Sequence, residues 1–71
     1  ADALDLAGLV LADGRRIRIA QHWAAQGDEA VFLRELHPGA CRVFDSVLGP
    51  DYNAAHRDHF HFERRGARVC R

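Results

Sequence analysis

His59-Phe60-His61-Phe62-Glu63 alternates polar and aromatic side chains with a period of two. That period belongs to a β-strand with one face in a core, so Phe60 and Phe62 point inward while His59, His61 and Glu63 share the opposite face. Two imidazoles one strand period apart, backed by two aromatic rings, form a rigid mount for a metal ion or for catalytic groups. His56, in the polar stretch 51–58, can approach the same face from the loop before the strand. Asp58 reads either as an acceptor that orients a neighbouring imidazole or as a plain turn residue. A single His-x-His is more simply a pair of surface histidines on an edge strand, but the third histidine favours a site. Zinc takes nitrogen ligands, often adds a carboxylate oxygen, and keeps one position for water in catalytic centres.

Upstream of this strand, Gly49-Pro50 is a stop signal. Before it, Ala40, Val43, Phe44, Val47 and Leu48 fall at the i, i+3, i+4, i+7, i+8 positions of an amphipathic helix. Pro38 fits the first turn of that helix and does not comfortably continue an earlier one. An earlier helix is therefore expected from an N-cap at Asp28 to about His37, with Phe32, Leu33 and Leu36 on its buried side. Residues 20–27 read as a loop or short helix in which Trp23 belongs to the core. Ala12-Asp13-Gly14-Arg15 is a tight-turn signal, which makes Leu9 to Ile19 a β-hairpin with Arg15, Arg16 and Arg18 on its wet face. Ahead of it, Leu4 and Leu6 alternate with Ala3, Asp5 and Ala7 until Gly8 interrupts, as a bulge or a close backbone approach would. His22 and His37 lie near element ends and read as solvated. The whole is one α+β domain spanning residues 1–71, a small antiparallel sheet with two helices packed on it.

Asp5 is a second candidate site residue. An unpaired carboxylate on an otherwise apolar or small-residue strand is costly to bury, and a metal, an arginine or backbone donors would relieve that cost. A turn or cap role is an equal alternative at this point.

Composition narrows the function classes. The chain has 71 residues, with ten basic and ten acidic side chains balancing to a net charge of zero. The arginines are scattered, which argues against nucleic acid, because phosphate binding needs a concentrated basic patch. No apolar stretch approaches the roughly 20 residues of a membrane-spanning helix. No signal peptide opens the sequence, so a targeting segment is expected upstream or already removed. Cys41 and Cys70 suffice for one disulfide, and a small marginal core with an even cysteine count fits an oxidising compartment; two unrelated thiols are the alternative. Without Cys-x-x-Cys spacing they are poor zinc ligands.

The stretch from Val47 to Phe62, Val-Leu-Gly-Pro-Asp-Tyr-Asn-Ala-Ala-His-Arg-Asp-His-Phe-His-Phe, closely resembles the signature of the bacterial extensin-like protein C-terminal domain. Ala3-Leu4-Asp5-Leu6, the turn at 12–15, Trp23, Phe32-Leu33 and Cys41 fall where that family's pattern would place them. The family is similar to the LAS group of zinc peptidases, which includes D-alanyl-D-alanine carboxypeptidases and penicillin-insensitive murein endopeptidases. The resemblance implies an LAS-like fold, zinc as cofactor, Asp5 and His61 as metal ligands, and two catalytic histidines, His59 beside the metal-bound water and His56 as a further site histidine. The group's first histidine ligand would fall two positions before Ala1, outside this chain.

The expectation that follows is a periplasmic or otherwise extracytoplasmic zinc-dependent peptidase acting on peptidoglycan peptides. The alternative is an envelope domain that binds wall peptide or zinc without hydrolysis. It gains weight because no Glu takes a typical base position near the histidines; Glu63 follows His61 by two on the same face. A purely structural zinc is weaker, since such sites usually have four protein ligands rich in Cys.

Overall fold

A computed structural model describes residues 3–64 and 66–71. Strands β1 (Ala3–Leu6), β4 (Ser46–Leu48), β5 (Phe60–Glu63) and β6 (Val69–Cys70) form one sheet in the order β1-β5-β4-β6. Strands β2 (Gly8–Val10) and β3 (Arg16–Arg18) form a separate hairpin, followed by the one-turn helix α1 (Ile19–His22) and by α2 (Asp28–Cys41). The α+β class is as the sequence implies. The sheet, expected to be antiparallel, is mixed: β1–β5 and β4–β5 are antiparallel, but β4 and β6 run parallel. Parallel neighbours need a long crossover, and here the segment between β4 and β6 supplies it while also carrying β5.

Alternation in β5 gives what it implies. Phe60 and Phe62 are buried while His61 and Glu63 are half-buried on the other face. Phe60 meets Trp23 edge-on at a 5.5 Å centroid distance, and Phe62 stacks on Phe44 at 4.7 Å. Ile17, Ile19, Leu33, Ala40 and Val47 complete the centre of the core. Apart from the smaller Ala40, each such side chain contributes about 1.5–3 kcal/mol on full burial.

The hairpin closes as expected. The Leu11 N–H bonds the Arg15 carbonyl at 2.8 Å, and Gly14 takes φ +92°, a conformation that costs glycine little. At Gly8 the reading of a close backbone approach holds, because a Cβ there would meet the Ile17 carbonyl oxygen at 2.7 Å.

The helices depart from expectation. A single helix, α2, runs from Asp28 through Pro38 to Cys41, and no helix covers residues 43–48. Proline removes one helical N–H, so the cost at Pro38 is confined to one turn; burial of Ala40 and the bond at Cys41 hold that turn in place. The apolar positions 43–48 satisfied a helical period by coincidence: Val43 is 64% exposed, whereas Val47 is fully buried as the middle of β4. Gly49-Pro50 therefore ends a strand. Gly27, at φ +124°, caps α2, and Asp28 lies inside its first turn, where a carboxylate favours the helix dipole. Leu33 is buried as expected and Leu36 partly so, but Phe32 is 37% exposed.

Cys41 and Cys70 form a disulfide, with a Cα–Cα distance of 5.8 Å. It ties the end of α2 to β6. Among the described residues, no helix is long and apolar enough to cross a membrane.

Candidate functional site

Antiparallel pairing of β1 with β5 sets Asp5 directly opposite His61. Directly opposed residues in such a ladder bring their Cβ atoms to about 5 Å, close enough for short side chains to touch. The Asp5 carboxylate lies 2.7 Å from His61 Nδ1, which donates to it whenever that nitrogen carries the proton. On the other side of the ring, Glu63 Oε1 lies 2.7 Å from His61 Nε2. His61 thus bridges two carboxylates across its imidazole.

His59 enters from the residue before β5. Its Nε2 lies 3.9 Å from the same Asp5 oxygen, and its Nδ1 donates to Asp58 Oδ1 at 2.8 Å. His56 ends a single 3-10 turn, Ala54–His56, whose N-cap Asn53 accepts from the His56 backbone N–H and, at 2.7 Å, from its Nδ1. The His56 ring lies 5.0 Å from that of His59 and 6.1 Å from that of His61, centroid to centroid. The structure therefore brings Asp5, His56, His59 and His61 together on one face of the sheet.

Electrostatics follow from these contacts. The His61 hydrogen bond holds the Asp5 carboxyl below its ordinary pKa, and the His59 hydrogen bond does the same for Asp58. Glu63 first, and Asp5 second, raise the pKa of His61 by favouring its imidazolium form.

A carboxylate oxygen and an imidazole nitrogen are a chemically apt pair for zinc. With metal–donor bonds of about 2.0–2.2 Å and tetrahedral angles, two such donors stand about 3.4 Å apart. The observed 2.7 Å between Asp5 and His61 is a short step from this, and the Asp5 side chain, 64% exposed, has room to turn. Asp5 and His61 offer zinc one carboxylate oxygen and one imidazole nitrogen, and His59 Nε2 lies 3.9 Å from that same carboxylate oxygen.

A model of the extensin-like protein C-terminus family matches residues 1–71. The chain belongs to that family. No curated protein and no solved structure matches it.

In this extensin-like domain the two cysteines stand apart from the histidine face. His37, Cys41 and Cys70 form, among the described residues, a trio whose donor atoms all lie within 4.8 Å of one another. Both sulfurs are consumed in the disulfide, so the trio offers a metal one imidazole. His37 is not simply solvated, as its sequence position suggested. It is half-buried, hydrogen-bonded to the Arg71 carbonyl at 3.0 Å, and packed edge-on against Phe60 on the face of β5 opposite His61. His22 accepts from the Arg18 N–H at 3.0 Å. Trp23 packs on the core and donates its indole N–H to Asp51.

Sequence reasoning missed two partners. Asn53 was read only as part of a polar loop, although an Asn immediately before a short helical turn is the usual N-cap signal. The grip of Glu63 on His61 Nε2 needed side-chain rotamers, which no spacing encodes.

Proposed function

We propose that this domain is a zinc-dependent peptidase-like unit acting on peptidoglycan peptides outside the cytoplasm. The observation that carries it is the pairing of Asp5 and His61 at 2.7 Å with His59 Nε2 facing the same carboxylate. Asp5 and His61 are the residues that would hold the metal. Bound there, zinc supplies a Lewis acid for the scissile carbonyl and acidifies a water molecule. His59 handles the proton: Asp58 holds its Nδ1–H, which leaves the Nε2 lone pair free to accept from the attacking water. His56, its Nδ1–H held by Asn53 in the same way, presents a second proton-accepting Nε2 beside His59. The disulfide supports an oxidising compartment. The peptide substrate rests on the resemblance of the family to the LAS group.

Zinc titration by calorimetry, paired with mass spectrometry of wall peptides incubated with the domain, tests the reading. Zinc binding that is lost in Asp5→Asn, together with new peptide termini, is expected. Unchanged zinc affinity in Asp5→Asn overturns it.

One feature favours a second reading, a domain that binds wall peptide or zinc and cleaves nothing. Apart from the disulfide-linked trio, no group of three His, Cys or acidic side chains gathers its donor atoms closely enough to hold a metal ion among the described residues. Zinc binding without new peptide termini, from the complete protein, selects this alternative.

A further inference from the structure

The site as described assigns roles to Asp5, His56, His59 and His61 and leaves Glu63 without one. Its carboxylate is nevertheless engaged: Oε1 meets His61 Nε2 at 2.7 Å, on the side of the ring away from Asp5. A neutral imidazole carries one proton, on either Nδ1 or Nε2, and only the bare nitrogen can ligate a metal. Asp5 stands at Nδ1, so a cation sharing Asp5 with His61 must be met by a bare Nδ1. The remaining ring proton then belongs on Nε2, where an acceptor is waiting.

We infer that Glu63 is a positioning residue that holds the Nε2 proton of His61 and thereby presents Nδ1 to a metal shared with Asp5, an inference that rests on the proposed metal centre. The backbone explains why Glu63 serves this purpose. Strand β5 is flanked by β1 and β4, and Glu63 is in register with Ala3 on one side and Ser46 on the other. Its carbonyl also accepts from the Asp45 N–H at 2.9 Å. Its carboxylate therefore projects from a backbone fixed on both sides, two residues along the same face as the ring it holds. Asp5 lies on the edge strand β1 and is the more exposed carboxylate, with 64% of its side chain accessible against 42% for Glu63. The better-anchored acceptor keeps the proton, and the exposed one is left to the metal. The same geometry removes Glu63 from consideration as the general base, because its oxygen faces Nε2 and not the ground between Asp5 and His59.

Carboxylates that orient a ligating imidazole typically account for a 10- to 100-fold effect on metal affinity. Two readouts on the full chain test the role. Long-range 15N–1H correlation spectra of the metal-free protein, at a pH where His61 is neutral, report its tautomer. Calorimetric zinc titration reports affinity. The wild type is expected to show the Nε2–H tautomer. Glu63→Ala should shift it toward Nδ1–H and weaken zinc binding on the order of 10- to 100-fold. Glu63→Gln, whose carbonyl oxygen still accepts from Nε2–H, should retain the tautomer and most of the affinity. An unchanged tautomer and unchanged affinity in Glu63→Ala overturn the positioning role while leaving the metal centre standing. A wild type that shows the Nε2–H tautomer but binds no zinc overturns the metal centre, and the inference with it.

Discussion

Asp5 and His61 lie 56 positions apart in the chain, yet they face each other across one rung of the β1–β5 ladder with 2.7 Å between carboxylate and imidazole. The contact is as much a statement about pH as about geometry. Asp5 has a folded-state pKa below its usual 3.8, so its contribution to stability is complete above that value and is lost as pH falls through the lowered one. His61 has a folded-state pKa above its usual 6.5, so its contribution is complete below 6.5 and is lost as pH rises through the raised value. The stabilising window of the pair runs between those two reference values. In denaturant titrations of the metal-free protein, Asp5→Asn should lower the unfolding midpoint most inside that window, and the gap to wild type should narrow on either side. A gap that is constant from acid to alkaline pH would contradict this assignment.

The disulfide closes a loop with a sequence separation of 29. In the chain-entropy account, a loop of this size contributes about 3–4 kcal/mol. For a domain this small that is a large share of a total that seldom exceeds a few kcal/mol. Cys41→Ser/Cys70→Ser, or reduction of the wild type, should therefore leave a substantial unfolded population at room temperature. Circular dichroism melts with and without reductant measure the effect; coincident melts would refute it.

How far the sequence carried the structure depended on whether a pattern was local. Residues 59–63 could be read outright, because alternation over one strand fixes which side chains are buried, and the strand brought His61 and Asp5 to one face once β1 paired with it. The hairpin was legible for the same reason, since Asp13-Gly14 encodes its own turn. Residues 40–48 misled because a short apolar run fits both periods, and only pairing with β5 and β6 decides that Val47 belongs to a strand. Pro38 misled in the opposite sense: its local penalty was real, but burial of Ala40 and the bond at Cys41 offset it. At the site, residue types were readable and their hydrogen-bond partners were not. Asn53 at His56, Asp58 at His59 and Glu63 at His61 depend on which rotamers the packed sheet allows, and only Asp58 had been considered.

Gly49 is held by close approach. A Cβ built there would lie 2.9 Å from His37 Cδ2, 3.2 Å from His37 Nε2 and 3.4 Å from Phe60 Cδ1. Gly49→Ala must push the His37 ring away from the Arg71 carbonyl it bonds, or shift the Gly49 N–H, which bonds that same carbonyl at 2.6 Å. Overpacking of this kind costs about 1–3 kcal/mol. The expected signature is a lowered melting temperature with zinc affinity unaffected, since His37 and the Asp5–His61 pair lie on opposite faces of β5. Zinc affinity falling in step with stability would show that the two faces are coupled.

The roles proposed for His59 and Asp5 separate most cleanly in one pair of variants. If His59 carries the proton and Asp5 holds the metal, removing each should damage a different observable. His59→Ala should retain zinc within a few-fold, because Asp5 and His61 still face each other, while the rate of peptide cleavage falls by about 10²–10⁴, the usual worth of a positioned general base. Asp5→Asn should lose zinc and cleavage together. Asp58→Asn should fall between wild type and His59→Ala in rate, because the amide oxygen still accepts from His59 Nδ1 but without the full charge that favours its protonated form. Calorimetry and single-turnover cleavage on the same preparations give both numbers. Loss of zinc in His59→Ala equal to that in Asp5→Asn would make His59 a ligand. A residue whose Nε2 lone pair is committed to a metal cannot also take a proton from water, so that outcome would move the general base to His56.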